Sequence, residues 1–149
     1  MKKHFIFGLA AALFFAGTAV AQDIPQSQVP AGIVSNFQKA FPNATDVEWE
    51  MDGNLYKVEF ETGVQKFDHD VWYDDAGQLL KHKEEISKNS LPKQVTAGVK
   101  KAFKGYRIDD VEKITEGGKV TYKLEVKSRT EEWELTLDSN GNVLTKVAD

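Results

Sequence analysis

The sequence contains no cysteine among its 149 residues. This absence excludes disulfides, thiolate catalysis, cysteine-bound metal and a lipid-modified N-terminal cysteine, so packing alone must hold the folded chain together. Arginine is almost as scarce, since only Arg107 and Arg129 occur. Acidic residues outnumber basic ones 23 to 19. A nucleic-acid-binding protein would show a concentrated basic surface, and so would a protein that docks on anionic lipid. Both classes are therefore excluded.

One long apolar run lies at the N-terminus and predicts a signal peptide over residues 1–21. Two lysines form a basic start, "FIFGLAAALFFAGTAV" follows, and "AVA" ends at Ala21. This pattern is typical of secretory signals, so we expect cleavage after Ala21. An uncleaved membrane anchor is the alternative, but a run of about 16 residues is short for a span of roughly 20. Cleavage would leave a soluble periplasmic or secreted protein with no membrane anchor.

Two segments of the remaining chain match each other position by position, without a gap. Residues 29–41, "VPAGIVSNFQKAF", align with residues 91–103, "LPKQVTAGVKKAF". In each segment the apolar residues recur every four positions, which predicts one amphipathic helix per segment. Pro30 and Pro92 suit a first helical turn, and Ser90 is a candidate N-cap.

Alternating apolar and polar residues with glycine turns follow each helix and predict about four antiparallel strands. "DVEWEMDGNLYKVEFE" and "FDHDVWYDDAGQLLKH" follow the first helix. "DVEKITEGGKVTYKLEVK" and "TEEWELTLDSNGNVLTKV" follow the second. The turns at Gly77 and Gly141 are slightly farther apart along the chain than the two helices, which places a short insertion near residues 106–109. This alignment matches His69 with Trp133 and Trp72 with Thr136.

These patterns predict an α+β fold of two tandem repeats, each one helix followed by about four antiparallel strands, with the helices packed on one face of the sheet. We expect a signal peptide (1–21), a short flexible N-terminus (22–28), a first repeat (29–86) and a second repeat (87–149). Residues 83–90, "KEEISKNS", would link the repeats. A 60-residue unit is marginal alone, so one continuous eight-stranded sheet would stabilise both.

The chain resembles the PepSY-like, β-lactamase-inhibitor-protein-like family of exported bacterial proteins. The resemblance rests on the "KAF" helices, the "DVE" strand starts, the "YKVEF" and "YKLEV" strands, and the "DDAGQLL" and "DSNGNVL" turns. It covers about residues 28–149 and implies a small periplasmic binding or inhibitory module without catalytic activity or cofactor. The chain departs from the β-lactamase inhibitor proteins in having no cysteine.

"FDHDVWYDD" is the stretch most suggestive of a metal site, but strand alternation separates its ligands. Asp68 and Asp70 would share one face while His69 points to the other. We therefore predict no metal site there and interpret His69 as a packed strand histidine. The position of His82 between two lysines predicts a solvated strand.

Two further observations argue against a calcium site and against catalysis. "DSNGN" at residues 138–142 lacks the spacing of a calcium loop and predicts a β-turn. No nucleophile is marked by an accompanying base, so we predict no catalytic residues and no enzyme.

Trp72 is the candidate for recognition, because alternation places it on the polar, helix-free face of the sheet. An aromatic side chain among charges is a natural anchor for a partner, with Asp70, Lys57 and Glu59 as neighbours. The alternative is a tryptophan covered by its neighbours.

The sequence thus predicts a non-catalytic periplasmic binding module, such as a protein inhibitor or an envelope interaction protein, that binds another exported or envelope protein and no nucleic acid. Two alternatives stay open. One is a periplasmic protein that binds a small ligand or a divalent metal, and the other is an unrecognised hydrolase.

Overall fold

The structure is a computed structural model that describes residues 21–148. The predicted signal peptide lies outside these residues, apart from Ala21. The helices are α1 (Ala31–Ala40) and α2 (Lys93–Ala102), and short 3₁₀ helices occupy Gln26–Gln28 and Lys88–Ser90. The strands are β1 (Gln22–Ile24), β2 (Thr45–Asp52), β3 (Leu55–Thr62), β4 (Phe67–Tyr73), β5 (Leu79–Glu85), β6 (Arg107–Glu116), β7 (Lys119–Lys127), β8 (Glu132–Asp138) and β9 (Val143–Ala148).

All nine strands form one antiparallel sheet in which each strand pairs with the next along the chain. The α+β class is therefore confirmed, and the two halves share a continuous sheet because β5 pairs with β6. The expected linker is shorter than predicted, since residues 83–85 belong to β5.

Strand β1, which the sequence did not predict, corrects the expectation of a flexible N-terminus at residues 22–28. Gln22–Ile24 pairs with residues 49–51 of β2 and forms one edge of the sheet. Ile24 packs against the first core, which gives this short strand a reason to stay in place. Backbone groups of β2 that would otherwise form an open edge are thereby paired.

Each helix covers its own part of one sheet face. Ile33 and Phe37 of α1 are buried in a first core, and Val95 and Val99 of α2 are buried in a second. The strand residues of the first core are Trp49, Val58, Phe60, Val71 and Tyr73, and those of the second are Val111, Tyr122, Leu124, Val126, Leu135 and Leu137. Burial of each such side chain contributes roughly 1.5–3 kcal/mol. The opposite sheet face carries no helix in residues 21–148.

The helix starts differ from one prediction. Pro30 and Pro92 stand directly before the first helical residue, as N-caps. Ser90 is not the N-cap, because it ends the short 3₁₀ helix that precedes Leu91. Proline there fixes φ and has no N–H to leave unpaired.

The number of residues between equivalent positions of the two halves increases after α2, in the region that the sequence indicates. The β-bulges at Asp46 and Asp110 are farther apart along the chain than the helix starts, Ala31 and Lys93. Both aspartates have positive φ, 51° and 42°, so the same irregularity occurs in both halves. The extra residues therefore lie between α2 and Asp110.

The helices approach the last turn of their own half in two different ways. In the first half the Asn36 side chain donates a hydrogen bond to the carbonyl of Gly77 at 3.0 Å. In the second half Gly98 replaces the asparagine, and a Cβ added there would lie 2.0 Å from the carbonyl oxygen of Gly141. Only glycine permits that approach.

Candidate functional site

The helix-free face forms a groove of about 770 Å³. Eleven carboxylates and three lysines line it, so its charge is strongly negative. The groove extends from β2 to β8, which means that both halves of the chain contribute to it. Because the strands alternate, these side chains all point away from the two cores.

Four carboxylates form a row across β3, β4, β5 and β6, which we call the carboxylate row (Glu61, Asp68, Glu85 and Glu112). Glu61 pairs in register with Asp68, and Glu85 pairs with Glu112. The backbone N–H of Asp68 donates to Glu85 Oε2 at 3.4 Å, which joins the two pairs. Like charges that face each other across strands destabilise a sheet. The like-charge pairs of the row therefore oppose stability, and the hydrogen bond between Asp68 and Glu85 offsets only part of that cost.

Lysines neutralise only the ends of the carboxylate row. Lys66 Nζ lies 2.9 Å from Glu61, and Lys83 Nζ lies 3.4 Å from Glu112. Among the ion pairs of residues 21–148, none includes Asp68 or Glu85. The middle of the row thus presents negative charge to the groove.

The structure brings together the four residues that the sequence suggests for partner binding. Lys57 pairs in register with Trp72, and Glu59 pairs with Asp70, all on the helix-free face. Lys57 Nζ lies 2.6 Å from Glu50, contacts Glu59, and lies 3.9 Å from Asp70. Burial alone would lower the pKa of Lys57, but the hydrogen bonds and charges of these carboxylates raise it above its usual value.

Trp72 is held by its neighbours. Its indole N–H donates to Asp52 Oδ2 at 2.8 Å. The ammonium groups of Lys57 and Lys81 lie 5.5 and 4.9 Å from the ring centroid, within the range of cation–π attraction. The side chain is half-buried as a result. Trp72 therefore presents a fixed edge to the face, partly covered by lysine chains.

The "DHD" stretch divides as alternation predicts. The side chains of Asp68 and Asp70 lie on the groove face, whereas the side chain of His69 is buried on the helix side of the sheet, beside Phe60. The Phe60 ring stacks on the His69 ring at 4.8 Å. The interpretation of His69 as a packed, hydrogen-bonded histidine agrees with this geometry.

Sequence reasoning missed what surrounds His69. His82, predicted to be solvated, is half-buried, and its Nε2 lies 3.0 Å from His69 Nδ1. Burial lowers the pKa of both imidazoles, more than the nearby carboxylates raise it. Glu84 faces His69 across the strands and completes a group whose ligand atoms all lie within 4.8 Å of one another. No sequence spacing reveals this group, since it depends on the register of β4 and β5.

The turn at residues 138–142 is the β-turn that the sequence predicts. Asp138 Oδ1 accepts hydrogen bonds from the backbone N–H groups of Asn140 and Asn142, each at 2.9 Å. Gly141 has φ of 87°, as such a turn requires. Hydrogen bonds with Asn142 are the main reason why the pKa of Asp138 is lowered.

Within residues 21–148, neither helix combines the length and the apolar character that crossing a membrane requires. A model of the "beta-lactamase-inhibitor-like, PepSY-like" family matches residues 18–81 and again residues 54–145. The chain belongs to the PepSY-like family. This family is described as inhibitor-like, which is a non-enzymatic class of protein. No curated protein matches the chain.

Solved structures share the fold of this PepSY-like chain. A DUF2874 family protein from Bacteroides ovatus is 20% identical, with a TM-score of 0.66 over 80% of this chain and 86% of its own. A BLIP-like protein from Bacteroides fragilis is 22% identical, with a TM-score of 0.65 over 84% and 87%. A candidate periplasmic protein from Bacteroides eggerthii is 16% identical, with a TM-score of 0.68 over 80% and 88%.

Proposed function

We propose that the chain is a non-catalytic periplasmic module that binds another exported or envelope protein on the helix-free face of its sheet. It consists of two tandem repeats, residues 29–86 and 87–149, that together build one binding groove. Two matches to the family model support the duplication. The N-terminal signal pattern and the description of the Bacteroides eggerthii relative support the location.

The observation that carries this proposal is the carboxylate row at the centre of the groove. Its middle members, Asp68 and Glu85, each stand opposite another carboxylate across the strands, and no ion pair of the described residues includes them. Local features that oppose stability are expected at functional sites. The groove therefore fits a partner that presents a basic surface, because opposite charges steer association and fix orientation.

Trp72, Lys57, Glu59 and Asp70 form one flank of this surface. The tryptophan supplies apolar contact area in a position fixed by Asp52 and by the lysine chains. A fixed aromatic loses little conformational freedom on binding, which favours its role as an anchor. In this proposal the row supplies orientation and Trp72 supplies affinity.

The inhibitory form of this function would have an exported hydrolase as the partner. The fold shared with a BLIP-like protein supports that choice at the level of architecture. The test is a panel of purified exported hydrolases, β-lactamases included, assayed with and without the protein.

Crosslinking in cells, followed by mass spectrometry, tests the binding face. The variants are Asp68→Lys with Glu85→Lys, and Trp72→Ala. Asp75→Asn is the matched control, because Asp75 is an exposed carboxylate in the turn after β4. We expect the partner recovered with wild type to be lost from the charge-reversed variant, reduced with Trp72→Ala, and retained by the control. Equal recovery of every partner by all four proteins would rule out this face.

The complex, once identified, should also show a salt dependence. Its affinity should fall as ionic strength rises from about 50 to about 500 mM, because the Debye length shrinks from about 14 to about 4 Å. A complex whose affinity is insensitive to salt would contradict a basic partner in an acidic groove.

A further inference from the structure

A second group of polar side chains lies on the helix side of the sheet, away from the groove. His69 and Glu84 face each other across β4 and β5, and His82 stands two residues before Glu84 on the same strand face. We propose that His69, His82 and Glu84 form a binding site for a divalent transition-metal ion of the zinc type. This site goes beyond the proposed partner-binding function and uses none of its residues.

The distances fit a shared ion. His69 Nδ1 and His82 Nε2 lie 3.0 Å apart, and Glu84 offers a carboxylate oxygen within the same 4.8 Å group. Two nitrogens bound to tetrahedral zinc at 2.0–2.1 Å would be about 3.3 Å apart. Three protein ligands with one open position are the usual set of an accessible zinc site. Small side-chain movements are enough to convert the observed contact into coordination.

Thr62 orients the first ligand. Its Oγ1 lies 2.7 Å from His69 Nε2, so the Nε2–H of the imidazole can donate to the hydroxyl. That tautomer leaves the lone pair of Nδ1 directed at His82. A hydrogen bond from the distant ring nitrogen is the common second contact of metal-binding histidines.

The surroundings favour a transition metal over calcium or magnesium. Phe60 stacks on His69, and the Phe41 ring lies 5.3 Å from the His82 ring, so the walls of the site are aromatic. Two imidazole nitrogens suit zinc, copper or nickel, whereas calcium and magnesium require mostly oxygen ligands.

Lys113 is a neighbouring cation that opposes the ion. Its Nζ lies 2.8 Å from Glu84 Oε1 and holds that carboxylate in place. The ammonium group makes this contact with Oε1 only, but its charge repels a dication. Lys113→Gln should therefore tighten metal binding several-fold. This direction is opposite to the effect of losing a ligand.

Calorimetric titration of the purified protein with Zn²⁺, after removal of metal by a chelator, tests the site. We expect one ion per chain, and no binding of Ca²⁺ or Mg²⁺ at this site. His82→Gln and Glu84→Gln should each weaken zinc binding at least tenfold, and Thr62→Val should weaken it about tenfold. Glu116→Gln is the matched control, since Glu116 carries the same charge, is exposed at the end of β6 and lies outside both the groove and this site.

Two readouts separate binding from folding. Thermal unfolding of the metal-free variants shows whether each is folded, and zinc should raise the midpoint of wild type and Glu116→Gln but not of His82→Gln. Co²⁺ should give the visible absorption of a four-coordinate site in wild type but in none of the ligand variants. Zinc binding that is absent from wild type, or equal in His82→Gln, Glu84→Gln and Glu116→Gln, would overturn the proposal.

Discussion

Replacing Lys57 by methionine should lower the free energy of unfolding by about 2–3 kcal/mol. The Lys57 side chain is 14% exposed and contacts the carboxylates of Glu50, Glu59 and Asp70. Removing one partner of a fully buried ion pair costs about 3–5 kcal/mol. An exposed pair contributes only about 0.2–1 kcal/mol. The partly exposed cluster lies between these limits, and methionine would leave three carboxylates close together without their shared cation.

Urea unfolding at pH 7.5 measures this loss, and Lys81→Met is the matched control. Both lysines lie over the Trp72 ring, so both variants lose a cation–π contact. Lys81 makes no ion pair among residues 21–148, so its replacement should cost less than about 1 kcal/mol. The difference between the variants isolates the carboxylate cluster. Adding Glu59→Gln to Lys57→Met should restore part of the loss, because it removes one of the uncompensated charges.

The pH dependence of that difference has a defined sign. The pKa of Lys57 is raised in the folded protein, so its contribution is fully present below the unfolded value of 10.5 and is lost as the pH rises through the folded value. The stability gap between wild type and Lys57→Met should therefore be constant from pH 7 to pH 10. Equal losses in Lys57→Met and Lys81→Met, or a gap that vanishes by pH 9, would refute the reasoning.

Four further substitutions test the fold and the groove. Gly98→Ala should lower the free energy of unfolding by roughly 1–3 kcal/mol, since the added Cβ would meet a backbone oxygen. Gly32→Ala has open space around its Cβ and should raise the free energy of unfolding by up to about 1 kcal/mol. Chemical unfolding measures both changes. Tyr73→Phe should be neutral or stabilising by about 1 kcal/mol, because the buried hydroxyl has no hydrogen-bond partner among the described residues. Burial raises the pKa of Tyr73 to about 12, so the variant should also lose less stability than wild type between pH 10 and 12 in thermal unfolding. Asp68→Asn should stabilise by about 0.5 kcal/mol in urea unfolding, because one like charge leaves the carboxylate row; destabilisation would show that the row is not repulsive.

The sequence was sufficient to predict both α-helices, strands β2 to β9 and the sheet face of several residues. Spacings of four placed Ile33 and Phe37 on the buried stripe of α1, and alternation placed Trp72 on the open face. These patterns depend only on neighbours along the chain, so they can be recognised without knowledge of the fold. The predictions of a flexible N-terminus and of a Ser90 cap were wrong, because a three-residue edge strand and a proline cap have weak local signals.

The candidate sites could not be predicted from local sequence patterns, for a different reason. The carboxylate row and the histidine pair each consist of residues on separate strands, and only the register decides whether they meet. His82 between two lysines has the pattern of a solvated strand, yet the C-terminal end of α1 places Phe41 against its ring. A neighbour of that kind, contributed from a distant part of the chain, cannot be deduced from spacing.

The second half of the chain offers an internal comparison for the metal proposal. Trp133 and Ala148 pair in register as His69 and Glu84 do at the corresponding place in the first half. Lys146 occupies the position that corresponds to His82, and its Nζ lies 3.7 Å from the Trp133 ring centroid. All three ligand types are thus replaced together by an aromatic ring, a cation and a small side chain. A fold that can fill this position without imidazoles has no structural need for the buried His69 and the half-buried His82. Changing His69, His82 and Glu84 together to Trp, Lys and Ala should therefore keep the fold and abolish zinc binding, and a triple variant that still binds one zinc ion would place the ion elsewhere.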